Sequence, residues 1–189
     1  MDDKILLNKI ANRDEDAFRF FVEKYHKLVL NVCNNILNNL DDAMDISQEV
    51  FMKIYESIDH FRGDAKITTW LYRIAVNKSL NHLRSTKKKN RFVSLDIIFG
   101  NDNKTNIPED QGLKPGESIE LDETKKALYF ALSKLSKKQN IAISLSYFED
   151  LPYKEISEIM DITVTEVGVL INRGKKKLHK IITEYYQKN

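Results

Sequence analysis

The sequence predicts an all-α protein of two helical domains joined by a flexible linker, with a helix-turn-helix in the C-terminal domain. Only six glycines and three prolines occur in 189 residues, and apolar residues recur at helical spacing over long stretches. That periodicity stops between residues 92 and 117. Asn, Asp, Gly and Pro dominate there, and the segment holds two of the three prolines and three of the six glycines. Such a composition suits a linker rather than a packed element. The expected division is therefore a first domain over 1–91, a flexible acidic linker over 92–117 and a second domain over 118–189.

In the first domain, Asp14 or Asp16 can cap a long helix. Its apolar positions Ala17, Phe18, Phe21, Val22, Tyr25, Leu28, Val29, Val32 and Ile36 follow the 3.6-residue period, and Asn38 and Asn39 end it. A second helix starts near Asp41 and turns Ile46, Val50, Ile54 and Ile58 inward. After the loop FRGDAK, Thr68 or Thr69 is expected to cap a third helix that runs into the basic segment RSTKKKNR. In the second domain, helical pattern resumes near Ile119 and breaks near Leu135, between Glu149 and Pro152, and at Asp161.

The last of these breaks is the most informative. Leu151-Pro152 precedes the short helix YKEISEIM, and Asp161 stands where a tight turn needs a left-handed residue, which Asp tolerates better than most. Thr163 and Glu166 match a capping box, in which each side chain bonds the other's backbone N–H at a helix start. On the helix that follows, Val164, Val167, Ile171, Leu178 and Ile182 share one side, expected to be core, with the small Gly168 and Gly174 beside it. The opposite side carries Thr165, Glu166, Val169, Asn172, Arg173, Lys176 and Lys180. Arg173 can address guanine or phosphate, Asn172 adenine and Val169 a thymine methyl, while the lysines would position the helix on phosphates.

Charge is unevenly distributed. Thirty basic against 28 acidic residues leave a net charge of only +2, but residues 84–91 and 173–180 each hold five basic side chains and no acid. Residues 102–123 hold seven acids and two lysines. Two basic segments around an acidic spacer suit two nucleic-acid contacts. The third helix adds a row at i, i+3, i+7, i+11 and i+14: Trp70, Arg73, Asn77, Asn81 and Arg84. Stacking, hydrogen-bonding edges and charge in one row are what binding of unpaired bases requires. Its other face, Leu71, Tyr72, Ala75, Val76, Leu80 and Leu83, is apolar.

The second helix gathers Asp41, Asp42, Asp45, Gln48 and Glu49, an acidic surface suited to docking a protein. A metal-dependent nucleic-acid enzyme would be a rival reading of these acids, but no histidine or further carboxylate stands at a spacing that completes a metal shell. His26, His60, His82 and His179 form no zinc pattern, and neither a phosphate loop nor a nucleophile-with-base motif is present. No catalytic residue, metal or cofactor is expected. No apolar run reaches the roughly 18 residues of a membrane span and MDDKILLNKI lacks a signal-peptide pattern, so the expected setting is the cytoplasm without direct membrane insertion. The single cysteine, Cys33, lies on an apolar helical face and is expected to be a packing residue.

Taken together, these segments resemble the extracytoplasmic-function class of bacterial RNA polymerase sigma factors. DAFRFFVEKYHKLVLNVCNNIL and DDAMDISQEVFMKIYESIDHFRGDAKITTWLYRIAVNKSLNHLR resemble sigma region two. ALSKLSKKQNIAISLSYFEDLPYKEISEIMDITVTEVGVLINRGKKKL resembles region four. The resemblance implies a promoter-specificity subunit without catalytic activity. Asp41, Asp45, Gln48 and Glu49 would dock on the clamp helices of the polymerase core enzyme. The loop containing Phe61, Arg62 and Gly63, with Trp70, Arg73, Asn77, Asn81 and Arg84, would hold bases of the melted minus-ten element. Thr165, Glu166, Val169, Asn172, Arg173 and Lys176 would read the minus-thirty-five element, the linker would pass through the polymerase, and an anti-sigma factor would be a partner. Gly168, Val169 and Leu170 depart from the family, which commonly carries Lys-Ser-Arg there. A stand-alone helix-turn-helix regulator is the alternative, but it leaves the acidic surface and the Trp70 row without a role.

Overall fold

A computed structural model describes residues 3–61, 66–93 and 118–188. Arg62, Gly63 and the linker residues 94–117 lie outside the described residues. Eight α-helices follow in chain order, and no strand occurs among the described residues. They are α1 (Asp3–Ala11), α2 (Glu15–Leu37), α3 (Leu40–Ser57), α4 (Ile67–Val93), α5 (Ser118–Ser133), α6 (Lys137–Tyr147), α7 (Tyr153–Met160) and α8 (Val164–Lys188), with a single 3-10 turn, Ile58–His60, after α3.

Local chemistry explains most of the boundaries. Asp14 caps α2, its carboxylate accepting from the Ala17 N–H at 2.9 Å. Asn38 ends that helix in the left-handed conformation, φ 53°, a geometry that Asn tolerates. Asn39 then starts α3 by accepting from the Asp42 N–H at 3.2 Å. Asp14→Ala is expected to cost about 1 kcal/mol, the usual value of a lost N-cap, seen as a fall of a few degrees in a thermal melt.

Three boundaries differ from the sequence expectation. α1 was not foreseen. Its Leu6 and Ile10 are fully buried, and its Asp3 accepts hydrogen bonds from Lys24 at 2.6 Å and Tyr25 at 3.0 Å. The Lys24 bond is the main reason the Asp3 carboxyl is held below the usual carboxylate range. Neither Thr68 nor Thr69 caps α4. The helix begins before them, with the Lys66 carbonyl accepting from the Trp70 N–H at 3.2 Å, and Thr69 is buried. Finally, α6 starts with a capping box between Ser136 and Gln139 that the sequence reading passed over.

Helices α2, α3 and α4 pack on one another with α1 against α2, while α5, α6 and α7 gather around α8. The two groups also meet, α6 against α2 and α7 against α4, and their apolar residues join in one core. Cys33 is completely buried in that core, and burial pushes its thiol up to about 11, which leaves it protonated and unreactive.

The two glycines of α8 have opposite roles. A Cβ on Gly174 would lie 2.5 Å from Ile143 Cδ1, and Ile143 is itself buried, so glycine is what lets α8 approach α6. A Cβ on Gly168 would meet nothing closer than the Tyr153 ring at 3.7 Å, an ordinary contact. Gly168→Ala is therefore expected to stabilise by roughly 0.5–1 kcal/mol through helix propensity, and Gly174→Ala to destabilise by about 1–3 kcal/mol through overpacking. Urea unfolding of the two variants checks both signs.

Candidate nucleic-acid interface

The helix-turn-helix is built by α7, a three-residue turn and α8. Asp161 takes φ 53°, ψ 52°, and its N–H and that of Ile162 both return to the Ser157 carbonyl. Thr163 then opens α8 through a reciprocal bond pair. The Thr163 N–H donates to the Glu166 carboxylate at 2.8 Å, and the Glu166 N–H donates to the Thr163 hydroxyl at 3.2 Å. The Thr163 N–H, and after it the Thr163 hydroxyl donating to the same carboxylate at 2.8 Å, hold the Glu166 carboxyl below its ordinary range. Glu166 thus serves first to fix the helix start, although it also lies on the exposed side.

Thr165, Glu166, Val169, Asn172, Arg173 and Lys176 are all exposed and share one side of α8. Two neighbouring cations are engaged within the domain: Lys175 lies over the Tyr147 ring at 5.3 Å, and Lys177 donates to the Lys134 carbonyl. Arg173 and Lys176 make no ion pair among the described residues and are free to meet a ligand. The opposite side is buried at Val167, Ile171 and Gly174. Val164 is a correction. It was expected in the core but is 48% exposed, because the turn carries the first residue of α8 beyond the end of α7. Val164 still points the way of Val167 and Ile171, so Val169, 42% exposed, is the apolar residue within the reading side.

On α4 the second array has the predicted order. Arg73, Asn77, Asn81 and Arg84 are exposed, and the Arg84 guanidinium donates to the Asn81 side-chain carbonyl at 3.2 Å. Trp70 is half-buried against the core and faces Phe61, with ring centroids 5.0 Å apart and planes inclined at 40°. The aromatic end of the row is thus a preassembled pair seated on the domain. Leu71, Tyr72, Ala75 and Val76 form the buried face.

The α3 surface is less uniformly acidic than its sequence. Glu49 pairs with Lys78 at 2.8 Å, and Asp42 lies 3.3 Å from His82 Nε2. Asp41, Asp45 and Gln48 are exposed and make no such pair among the described residues. Beside them lie Leu40, Met44 and Met52, 41%, 41% and 64% exposed. Large apolar side chains left open within a polar surface mark a protein contact. Met44, Gln48 and Met52 at i, i+4 and i+8 were the signal in the sequence. Among the described residues, no group of three or more His, Cys, Asp and Glu side chains is arranged to hold a metal ion, and no helix is long and apolar enough to cross a membrane.

This architecture and these surfaces define a two-domain, all-helical DNA-binding protein. The sigma-70 region 2 family matches residues 21–89 and the sigma-70 region 4 family matches residues 125–178. The ECF RNA polymerase sigma factor SigW of Bacillus subtilis is 31% identical over 176 residues, covering 92% of this chain and 93% of SigW. The sigma-H factor of Pseudomonas aeruginosa is 30% identical over 187 residues, covering 95% and 93%. Among solved structures, CnrH in complex with the cytosolic domain of CnrY has a TM-score of 0.69 at 19% identity, covering 96% of this chain and 97% of that one. The sigma factor RpoE in complex with the anti-sigma factor NepR, from Bartonella quintana, has a TM-score of 0.66 at 19% identity, covering 88% and 96%. The chain belongs to the extracytoplasmic-function RNA polymerase sigma factors, and its function is in promoter-specific transcription initiation.

Proposed function

We propose a residue-level division of this work. Residues 1–91 bind the polymerase core through Asp41, Asp45, Gln48 and Glu49, with Met44 and Met52 as the apolar centre of the contact. The same domain holds unpaired minus-ten bases on Phe61, Trp70, Arg73, Asn77, Asn81 and Arg84, with Arg62 and Gly63 in the adjoining loop. Residues 118–189 read the minus-thirty-five duplex through Thr165, Glu166, Val169, Asn172, Arg173 and Lys176, and residues 92–117 connect the two. The protein itself catalyses no reaction. It acts in the cytoplasm with the polymerase, and an anti-sigma protein restrains it, as the partners of CnrH and RpoE suggest by analogy.

The observation that carries this reading is the pairing, in one chain, of an exposed amide-and-guanidinium row beside stacked aromatics on α4 with an exposed reading surface on α8. In vitro transcription of sheared genomic DNA with added core polymerase tests it. Transcripts with discrete 5′ ends that depend on this chain support the reading, and their absence sinks it. Asn77→Ala is expected to weaken transcription from duplex promoters and binding of the single-stranded non-template minus-ten segment by roughly tenfold, the scale of one lost base contact. Core binding should persist. Equal single-strand affinity in variant and parent would remove Asn77 from the assignment.

A further inference from the structure

Arg13 stands where glycine is the usual residue. The turn after α1 closes as many helix ends do, the Arg13 N–H donating to the Ile10 carbonyl at 2.9 Å and the Asp14 N–H to the Lys9 carbonyl at 3.1 Å. This pair of bonds calls for a left-handed residue between helix and exit, and Arg13 takes φ 65°. Any residue with a Cβ is strained there.

Such strain persists where surrounding contacts over-determine it, and the Arg13 side chain supplies them. Its guanidinium donates to the Tyr55 backbone carbonyl at 3.0 Å and to the Asp59 carboxylate at 3.4 Å, and its central carbon lies 4.8 Å from the centre of the Tyr55 ring. The same ring meets Phe18 of α2, with centroids 4.8 Å apart. One planar group therefore joins the α1–α2 turn to the last turn of α3 and to the 3-10 turn beyond it. A rigid fork of donors can do this, whereas an ammonium is a single point.

What the 3-10 turn carries gives this brace its consequence. Ile58 is buried and its carbonyl accepts from the Phe61 N–H at 3.0 Å. Phe61 leaves the turn in extended conformation, φ −75° and ψ 106°, and its ring comes to lie against Trp70. Asp59 is only two positions before it. An exposed ion pair contributes little to stability, and the Arg13 and Asp59 side chains are 50% and 54% exposed, so stability does not account for a strained arginine. Its placement beside the turn does.

We infer that Arg13 is a positioning residue for the minus-ten site: its guanidinium braces the turn that presents Phe61, and so fixes the Phe61–Trp70 pair for stacking on unpaired bases. This rests on the assignment of that pair to the minus-ten strand. Arg13 acts through the pair and touches no base.

Trp70 is the only tryptophan of the chain, so its fluorescence reports the pair without DNA. Arg13→Gly removes the guanidinium and gives the φ 65° position the residue that suits it best, so the urea midpoint should stay near that of the parent. Trp70 emission should move to longer wavelength, and its quenching by acrylamide should rise. Binding of a single-stranded minus-ten oligonucleotide, taken from a promoter mapped by the transcription assay above, should weaken by roughly threefold to tenfold, part of the worth of one stacked base. Arg13→Lys keeps the charge but reaches one acceptor at a time, and should fall between parent and Arg13→Gly. In a Phe61→Ala background, Arg13→Gly should cause no further loss, because the pair it positions is gone.

A loss that persists in that background would make Arg13 a plain cationic contact and overturn the inference. A parent-like Trp70 spectrum in Arg13→Gly would overturn it too, as would a urea midpoint that falls while strand affinity holds. Should Arg13→Gly lose helicity, Arg13→Lys decides by the same readings. Full strand affinity in Phe61→Ala would instead sink the minus-ten assignment, while the Trp70 spectrum of Arg13→Gly still decides whether the brace holds the pair.

Discussion

Asp41→Lys combined with Asp45→Lys is expected to abolish co-purification with core polymerase while leaving the thermal melt almost unchanged. Both side chains are exposed on α3 and neither pairs with a cation among the described residues. Their replacement removes no internal contact, and the stability change should stay within about 0.5 kcal/mol. Binding should respond very differently. Like charges brought together across an interface cost several kcal/mol, which is on the order of a hundredfold or more in affinity. Glu49 is deliberately excluded from this pair. It holds Lys78 at 2.8 Å, so Glu49→Lys would set two ammonium groups together inside the domain and confuse folding with docking. Met52→Ala is the apolar counterpart and should weaken docking without changing charge. Undiminished core binding by the double variant would remove α3 from the proposed contact.

Arg173→Ala is expected to have the largest effect on sequence reading. An exposed guanidinium on a well-capped helix, with no acid paired to it among the described residues, can place both its donors on a guanine edge. Losing that pair should cost roughly 1–3 kcal/mol and relax preference at one base position. Lys176→Ala should weaken all sequences alike and flatten the salt dependence by about one phosphate contact. Titrating both variants against a promoter duplex and its single-base variants, at two salt concentrations, separates the roles. Val169 provides an internal check. If it touches a thymine methyl, Val169→Ser should lower affinity for the promoter, and replacing the contacted thymine by uracil should abolish the difference between Val169→Ser and the parent. If duplex affinity is the same in Val169→Ser and parent, the apolar part of the surface serves a partner protein instead.

Legibility followed the range of the interaction involved. The Asp14 and Thr163 caps, the left-handed Asp161 and the Arg73–Asn77–Asn81 row depend on neighbours within about four residues. Helical geometry alone places those neighbours. The departure at Gly168 was visible too. Its neighbour, the Tyr153 ring, lies fifteen positions away where no periodicity reports it, and at 3.7 Å from an added Cβ that ring does not itself require glycine. Val164 shows the same limit from the other side. Its spacing from Val167 and Ile171 set its direction correctly, yet no element stands in that direction at the first residue of α8.

By itself, then, the sequence determined the helical class, the break into two parts, the turn of the helix-turn-helix and the direction in which each reading row points. Tertiary structure decided which acids on α3 remain open, since only folding brings Lys78 to Glu49. It decided that Gly174 is a contact with Ile143, that α1 has a core to rest on, and that α6 loses its solvent face to α2. The division has one physical origin. Caps, turns and helix faces are settled by bonds a few residues long, whereas burial and pairing depend on which distant element arrives, and that is set by the free energy of the whole packed chain.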